Sequence, residues 1–345
     1  MFKPEEIIFA PTARCNLACA HCRVARVPEE LAASDAVAFL REAAERGVGR
    51  LGFSGGEPFL RPDFLRELCA EAVSLGLLFD RLMTNGSWWR DEAELEETLG
   101  SVAEAGFDGT IGLSADRWHG STAGRLLPFI EAAHRAFGRR DCVEIASVVS
   151  PDDGPLLDIF RAVAAALGGE LVLSGGEPEA IVPAKGAGRR GARAAAEGEE
   201  LRVDIVRIPY SAAGEPGAAD GAAAGGQAAG AGGTPASGPW SAKEWFTDDF
   251  CAGPGNVLYV HPNGKVAVCC GFANENEELV VGRIPGDGVD AVLARAAASP
   301  RVRACYETGL GEVRKRLEAE GFAFPGKTAD ICFFCDFLCK RGLGA

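Results

Sequence analysis

The first half of the chain alternates short apolar runs with segments whose apolar residues recur at helical spacing. This alternation predicts βαβ units and a parallel sheet, which is the α/β class. The predicted strands are Ile7–Phe9, Gly49–Phe53, Leu78–Leu82, Thr110–Ser114, Cys142–Val149 and Glu170–Leu173. The predicted helices between them are Ala32–Arg46, Pro62–Leu75, Glu92–Ala105, Leu126–Phe137 and Pro155–Leu167. Six such units suit a partial (β/α)6 barrel of TIM type, in which ligands bind at the carboxyl ends of the strands.

Composition excludes several other classes of protein. With 47% apolar and 24% charged residues, the chain of 345 residues has the composition of a soluble globular protein. It has no run of about 18 apolar residues and no signal-peptide pattern in Met1–Glu6, so we predict a cytoplasmic protein without a membrane span. Twelve cysteines without a secretion signal indicate metal or redox chemistry rather than disulfides. A net charge of −14 argues against nonspecific binding of nucleic acid.

Three cysteines, Cys15, Cys19 and Cys22, follow the first predicted strand with C-x3-C-x2-C spacing. Thiolates this close together can bind one iron–sulfur cluster from a single loop. Three ligands would leave one iron of a cubane cluster open to another molecule. A structural zinc site, the main alternative, would need a fourth ligand, and His21 is poorly placed because it is adjacent to Cys22. Packing of these cysteines as small apolar residues is the other alternative.

Glycines and polar residues follow the later strands, at the edge where barrels of this type bind ligands. Gly55, Gly56 and Glu57 come directly after the second predicted strand. They form either an ordinary turn or a place where the backbone approaches a ligand closely, because glycine has no side chain. The ends of the third to fifth strands carry Asn85, Ser114, Asp116 and Ser147. Each of these is also an ordinary capping or turn residue.

The cysteine motif together with Ser54-Gly55-Gly56-Glu57-Pro58 resembles the radical S-adenosylmethionine (SAM) enzymes. The resemblance implies that the three cysteines hold a 4Fe–4S cluster whose open iron binds SAM. It also implies that an electron from the cluster, supplied by a donor such as flavodoxin or ferredoxin, cleaves SAM to a 5′-deoxyadenosyl radical. The cofactor contacts that the resemblance implies are Gly55, Gly56, Glu57, Asn85, Ser114, Asp116 and Ser147.

A second group of cysteines surrounds a predicted β-hairpin near the end of the chain. Asn263-Gly264 between alternating apolar residues predicts the hairpin turn, with Cys251 before the hairpin and Cys269 at its end. Together with Cys332 and Cys335, which have C-x2-C spacing, these residues offer four thiolates for zinc or for an iron–sulfur cluster. The layout resembles the SPASM and twitch domains of radical SAM enzymes. It implies an auxiliary 4Fe–4S cluster in a shortened domain that holds one cluster.

The other cysteines are Cys69, Cys142, Cys270, Cys305 and Cys339. We interpret Cys69, Cys142 and Cys305 as packing residues, and Cys339 has no assigned role. Cys270 is different because it directly follows a predicted ligand. Alternation along the strand turns its side chain to the face opposite that of Cys269.

A narrower resemblance is to the radical SAM epimerases, which convert L residues to D in ribosomally made peptides. The shared features are Arg14-Cys15-Asn16, Asn85-Gly86-Ser87-Trp88, Ser114-Ala115-Asp116-Arg117-Trp118-His119, the hairpin with Cys269-Cys270, and the late Cys332 and Cys335. The resemblance implies a short precursor peptide as substrate and Cys270 as the thiol that returns a hydrogen atom to the substrate radical. The alternatives are a cross-linking or thioether-forming peptide maturase, a dehydrogenase of a small alcohol, and an iron–sulfur or zinc protein that only carries electrons.

The domain organisation follows from composition. Residues 1–200 are predicted to form the barrel, residues 201–240 a flexible linker or insertion, and residues 241–345 the auxiliary-cluster domain. Residues 212–238 consist almost entirely of Ala, Gly, Pro, Ser and Thr. Such a segment cannot bury enough apolar surface to offset the conformational entropy that ordering would cost.

Deletion of residues 212–238 is therefore expected to leave both clusters and SAM cleavage intact. The measurement is iron content and 5′-deoxyadenosine formation by the reconstituted deletion variant beside the full chain. Insoluble protein, or selective loss of the auxiliary cluster, would show that the segment belongs to a folded core.

Overall fold

The structure is a computed structural model that describes residues 2–22, 24–25, 27–149, 152–184, 201–208, 239–247, 250–251 and 256–344. Most of the predicted linker, including residues 212–238, lies outside these ranges. Within them, no helix is both long enough and apolar enough to cross a membrane.

The described residues contain alternating strands and helices, followed by a hairpin and a group of C-terminal helices. The strands are β1 Glu6–Phe9, β2 Arg50–Phe53, β3 Leu78–Thr84, β4 Thr110–Ser114, β5 Val143–Val148, β6 Gly169–Ser174, β7 Glu177–Pro183, β8 Val203–Ile208, β9 Val257–Val260, β10 Lys265–Ala267 and β11 Val280–Arg283. The α-helices are α1 Ala33–Glu45, α2 Pro62–Ser74, α3 Glu92–Glu104, α4 Ala123–Phe137, α5 Gly154–Ala166, α6 Val289–Ala298, α7 Pro300–Arg303, α8 Leu310–Ala319 and α9 Ile331–Arg341. Short 3-10 turns span Pro58–Leu60, Phe272–Glu275 and Glu277–Leu279, and a π-helical turn spans Ala304–Thr308.

All of these strands join one sheet in the order β11-β10-β9-β1-β2-β3-β4-β5-β8-β7-β6. The strands from β9 to β8 in this order run parallel to one another. Right-handed helical crossovers are the usual connection between such parallel neighbours. The arrangement confirms the predicted α/β class and the partial barrel of TIM type.

The sixth parallel strand is not the predicted one. Residues 170–173 lie in β6, which pairs antiparallel with β7 at the edge of the sheet. The reason is a two-residue turn at Gly175 and Gly176, whose φ values of +60° and +95° suit the tight turn of a hairpin. β8 takes the predicted place beside β5. Residues 203–208 lie within the segment predicted as a linker, where the alternation of apolar and charged residues over 201–209 also indicated one extra strand, and they form β8 of the sheet.

The two faces of the sheet differ in character. Ile7 and Phe9 of β1 are fully buried in the main apolar core, which the helices complete. Glu6 and Ile8 alternate with them and are only half-buried, so they point to the other side. We call this side the inner face. It also carries charged groups, among them Arg81 on β3, whose guanidinium lies 3.0 Å from the Glu144 carboxylate on β5.

The hairpin of β9 and β10 confirms the predicted turn, because Gly264 has a φ of +79° and the Gly264 amide donates to the carbonyl of His261. β9 runs parallel to β1, so β10 must run back towards the start of β1. Residues that follow Ala267 consequently lie where the parallel strands begin, which we call the amino edge. The cysteine loop follows the end of β1 and therefore lies at the opposite, carboxyl edge.

Candidate active site

The front cysteines occupy the loop directly after β1. Cys15 and Cys19 are half-buried, Cys22 is exposed, and all the cysteines of the chain are free of disulfides. The Sγ atom of Cys15 accepts hydrogen bonds from the Leu17 amide and from Asn85 Nδ2, both at 3.4 Å. Such donors are typical partners of cluster sulfurs. Three thiols on one loop, none of them in a disulfide and one of them already receiving N–H donors, fit a 4Fe–4S cluster.

Gly55 and Gly56 pack directly against the start of the cysteine loop. The Gly56 amide donates to the carbonyl of Thr12 at 2.9 Å, and the Glu57 amide donates to the carbonyl of Arg14 at 2.8 Å. A Cβ at Gly56 would stand 2.2 Å from the Arg14 carbonyl oxygen. Gly55 has a φ of +120°, and a Cβ there would lie 2.8 Å from the Thr12 oxygen. These positions require glycine because the loop after β2 packs closely against the cysteine loop. The sequence alone favoured a different reason, which was the close approach of a ligand.

The side chain of Glu57 is fully buried and is not open to a cofactor. Its Oε1 accepts hydrogen bonds from Thr84 Oγ1 at 2.9 Å and from the Phe59 amide at 3.1 Å, and its Oε2 accepts from the Asn85 amide at 2.8 Å. Burial raises the pKa of Glu57 to about 7, although the three donors act in the opposite direction. The carboxylate thus joins the loop after β2 to the end of β3. Only the main chain of Glu57 remains for the predicted cofactor contact.

Asn85 faces the cysteine loop from the end of β3. Besides its bond to Cys15, its Nδ2 donates to Asn16 Oδ1 at 2.9 Å, and its Oδ1 accepts from the Ser87 amide at 2.8 Å. Ser114 is half-buried at the end of β4 and pairs with Ala146 in the sheet. Ser147 is fully buried, so its side chain does not reach an open cleft and the predicted cofactor contact is not supported there.

Asp116 is also buried, at 1% exposure, and its carboxylate is occupied by protein groups. Its Oδ1 lies 2.9 Å from His119 Nδ1 and accepts from the amides of Trp118 and His119, and its Oδ2 accepts from the Val148 amide at 3.4 Å. The predicted contact of Asp116 with the cofactor stays a prediction. Asp116 orients His119.

The ring of His119 is hydrogen-bonded to Cys19 as well as to Asp116. Burial alone would lower the pKa of His119, but the bonds to Asp116 and Cys19 raise it to about 10. The ring centroid of His21 lies 5.0 Å from that of His119. His21, Asp116 and His119 have ligand atoms within 4.8 Å of one another, yet the donors around Asp116 leave it a poor metal ligand. Sequence reasoning named Asp116 as a cofactor contact and His119 only as part of a motif, although their spacing of three residues at a strand end was a usable signal of this contact.

The C-terminal cysteines converge on one side of α9. Cys332, Cys335 and Cys339 are three and four residues apart, so they share a stripe of this helix. Cys332 is hydrogen-bonded to Cys251. A Cβ at Gly271 would lie 3.2 Å from Cys332 Sγ and 3.9 Å from Cys269 Sγ, so this glycine leaves room beside the two thiols. Thiols converging around such a gap fit an iron–sulfur cluster.

Cys305 joins the same group of thiols, which the sequence did not indicate. It is fully buried in the π-helical turn, and its Sγ lies 3.8 Å from that of Cys335. Cys335 is also hydrogen-bonded to Cys339. Contact with Cys305, together with burial, raises the pKa of Cys335 above its usual range. Two more thiols than a four-ligand site requires are therefore present around Cys335.

Cys270 directly follows Cys269 and lies beside this group of thiols, since the charge of Cys251 acts on it. It is exposed, whereas Cys269 has 4% exposure, although both residues lie beyond the end of β10 at Ala267, so strand alternation does not account for the difference. Partial burial of the thiol, with the charges of Cys251, Glu6 and Asp80, raises the pKa of Cys270 to about 11. Cys270 thus keeps its hydrogen at neutral pH and faces acidic groups at the amino edge of the inner face.

The front part of the chain is similar to known proteins. Residues 9–145, which are less than half of the chain, match the model of the Radical SAM superfamily, a family whose cofactor pair is a 4Fe–4S cluster with SAM. The PqqA peptide cyclase of Xanthomonas oryzae pv. oryzae is 42% identical over 87 residues. These residues are 24% of this chain and 23% of the cyclase, so the chain matches about a quarter of the length of this relative.

The fold is also similar to solved structures. Native anSMEcpe with bound AdoMet and Cp18Cys peptide has a TM-score of 0.50 and 12% identity, with 86% of this chain and 82% of that chain covered. Streptococcus suis SuiB has a TM-score of 0.43 and 13% identity over 95% of this chain and 77% of its own. At 12% identity, the likeness to anSMEcpe shows a similar fold and no more.

The close packing of the two loops predicts the effect of adding one methyl group at Gly56. Gly56→Ala is expected to displace the cysteine loop, because its Cβ would meet the Arg14 carbonyl oxygen at 2.2 Å. We expect loss of the front cluster, about half of the iron, and of SAM cleavage. Gly49→Ala is the matched control, since a Cβ there meets nothing within 4 Å. Full iron content in Gly56→Ala would contradict this role of the glycine.

Proposed function

We propose that this protein is a radical SAM enzyme that acts on a ribosomally made peptide and inverts L residues to D. The observation that carries the proposal is that two groups of thiols lie at opposite edges of the parallel sheet. The front cysteine loop lies at the carboxyl edge, and Cys270 lies at the amino edge. Inversion requires that a hydrogen leave one side of an α-carbon and that another return from the opposite side.

Each end of the site has a defined part in this proposal. Cys15, Cys19 and Cys22 would hold a 4Fe–4S cluster, which together with SAM would supply the radical chemistry that removes the α-hydrogen. Loss of that hydrogen flattens the carbon and erases its chirality. Cys270 then donates a hydrogen atom from the amino edge, and its raised pKa keeps the thiol protonated for this step. The inner face orients the peptide and excludes rival hydrogen donors.

A peptide substrate is supported by two features. One is the likeness to the PqqA peptide cyclase over 87 residues. The other is the polar character of the inner face, where pairs such as Arg81 with Glu144 can exchange partners with peptide groups. Main-chain amides and carbonyls, together with charged side chains, are suitable partners for such a surface.

We assign the auxiliary 4Fe–4S cluster to Cys251, Cys269, Cys332 and Cys335, and the SAM contacts to Gly55, Gly56, Asn85, Ser114 and the main chain of Glu57. The auxiliary site lies next to Cys270, so an electron from flavodoxin or ferredoxin has a short route to that residue. A cytoplasmic location follows from the need for such a reduced donor.

Peptide cross-linking is the second candidate, because the 42% identical relative is a peptide cyclase. It differs in outcome, since cross-linking removes hydrogen without returning it to the same carbon. Oxidation of a small alcohol would likewise give a product without a D residue. Mass spectrometry and chiral amino-acid analysis of the treated peptide separate these outcomes.

The first test concerns the front cluster. Anaerobic reconstitution is expected to give about eight irons in two 4Fe–4S clusters. Changing Cys15, Cys19 and Cys22 together to Ala is expected to remove about half of the iron and to abolish SAM cleavage. Cys69→Ala, which removes a fully buried packing thiol, is the control and should keep all of the iron. Retention of all iron in the triple variant would exclude the front loop as a cluster site.

The second test concerns the hydrogen donor. The substrate for this test is to be sought among peptides encoded by short reading frames in the neighbourhood of this gene. Cys270→Ala is expected to retain both clusters and to form 5′-deoxyadenosine without producing D residues, while Cys142→Ala should behave as the unchanged enzyme. In deuterated water the unchanged enzyme should place one deuterium on each inverted α-carbon, because a thiol exchanges its hydrogen with solvent. Inverted product without deuterium would rule out a thiol donor. Loss of the auxiliary cluster in Cys270→Ala would mean that this residue is a ligand instead.

A further inference from the structure

One end of the sheet, at β11, is covered by side chains. Arg295 Nε donates to the carbonyl of Val281 at 2.6 Å, and Asp287 Oδ2 accepts from the amide of Arg283 at 2.9 Å. These main-chain groups on the outer side of β11 are therefore already bonded. Natural proteins commonly cover an edge strand, because its free amides and carbonyls would otherwise pair with another chain.

The other end of the sheet is β6, which pairs antiparallel with β7 and is the last strand in the sheet order. Among the residues that the structure describes, neither another strand nor a side chain bonds to the outer side of β6. The strand has six residues and contains no Pro, Lys or Arg, which natural edge strands use against pairing. β6 is thus an open edge within the described part of the chain.

The hairpin turn determines which main-chain groups of β6 point outwards. The two-residue turn closes on Ser174 and Glu177, and such a closing pair exchanges main-chain hydrogen bonds. Successive residues of a strand face opposite neighbours, so Val172 and Ser174 face β7. Leu173 and Leu171 therefore direct their amides and carbonyls to the open edge.

Two prolines in β7 agree with this register. Leu173 is opposite Pro178 and Gly169 is opposite Pro183, and proline has no amide to donate across the hairpin. The irregularity in this pairing is an extra residue, Glu179, on β7, so the alternation along β6 is not interrupted. Leu173 is also 43% exposed. An incoming strand therefore meets unpaired main-chain groups and an apolar side chain together.

The charge of the hairpin distinguishes between possible partners. Residues 169–183 include Glu170, Glu177 and Glu179 and no Lys or Arg, and Glu177 and Glu179 are exposed. A second copy of the chain would bring the same carboxylates together, so like charges disfavour pairing between two β6 strands. A basic segment brings the opposite charge.

We propose that the open edge of β6 binds an extended segment of the peptide substrate, rich in Lys or Arg, by strand addition. Main-chain hydrogen bonds supply affinity in this mode of recognition, and alternate side chains supply specificity. β6 runs in the same direction as β8, because β7 is antiparallel to both. A segment added to β6 therefore extends between the amino and carboxyl edges. This inference rests on the proposed function and adds to it the class of peptide segment and the place that holds it.

The binding test uses the full chain and a fluorescently labelled synthetic decapeptide of alternating Lys and Val. We expect anisotropy to rise on binding and hydrogen–deuterium exchange of the amides in residues 169–174 to slow. A Glu–Val decapeptide should not bind. A Lys–Val decapeptide that is N-methylated at every residue keeps its charge but cannot donate main-chain hydrogen bonds. It should bind about tenfold more weakly or worse.

Variants of the edge test the same contact from the side of the protein. Leu173→Pro removes one outward amide, a change that edge strands tolerate, and should weaken binding about tenfold. Leu173→Thr keeps the amide and should bind at least about fivefold more tightly than Leu173→Pro. Glu170→Gln with Glu179→Gln should weaken binding about threefold and reduce its salt dependence. Glu92→Gln with Glu97→Gln makes the same change of charge on α3 and is the control.

Three results would overturn the docking proposal. Amides of residues 169–174 that are protected before any peptide is added would mean that the chain itself covers the edge. Equal binding of the N-methylated decapeptide would reduce the attraction to charge alone. Dimerisation that Leu173→Pro abolishes would identify a second copy as the occupant. Because the decapeptide may fail to bind only if the edge is closed to strands, its N-methylated form keeps the test decisive even where Leu173→Pro does not fold.

These measurements need no turnover, so they separate this proposal from the proposed function. Decapeptide binding at β6, beside a treated precursor peptide without D residues, would overturn the proposed inversion alone. A precursor peptide that gains D residues, while its KM is unchanged by Leu173→Pro and the amides of residues 169–174 stay unprotected, would overturn the docking alone. A raised KM in Leu173→Pro with an unchanged kcat would support it.

Discussion

The structure depends on β1, which pairs in parallel with β2 on one side and with β9 on the other. The pairing with β2 belongs to the barrel, whereas the pairing with β9 joins to it a segment more than two hundred residues further along the chain. Both sets of reactive cysteines are placed by this strand. The front loop continues from its end, and the hairpin that carries Cys269 and Cys270 is registered against its length. Loss of either pairing would therefore disturb both halves of the site.

Buried carboxylates maintain the loops at the carboxyl edge. Glu57 and Asp116 are both almost fully buried, and each accepts several hydrogen bonds from groups on neighbouring loops. A buried carboxylate is tolerated only when its oxygens are satisfied in this way. Their role is to hold the backbone of the loops at the carboxyl edge, where the half-buried Asn85 faces the cysteine loop.

The sequence predicted the parallel part of the sheet well. Short apolar runs indicate strands buried on both faces, and apolar residues at helical spacing indicate helices buried on one face. It missed the β6–β7 hairpin, since a Gly-Gly turn between two short apolar runs was read as the end of a single strand. Residue identity located Glu57, Asp116 and Ser147 at strand ends but could not give the direction of their side chains. Cys305 was beyond prediction, because its contact with Cys335 arises from the packing of two distant helices and leaves no spacing signal. The roles of the cysteines and the domain boundaries remain predictions.

The length of β1, which has four residues, also fixes a distance within the site. At about 3.3 Å per residue, its first and last Cα atoms are about 10 Å apart, which sets the separation of the two edges on the inner face. A slip of one residue would turn Glu6 and Ile8 towards the helices and bring Ile7 and Phe9 to the open side. The loops at either end can therefore accept insertions and new side chains. A change in the length or register of this strand, by contrast, would alter the distance between the carboxyl and amino edges.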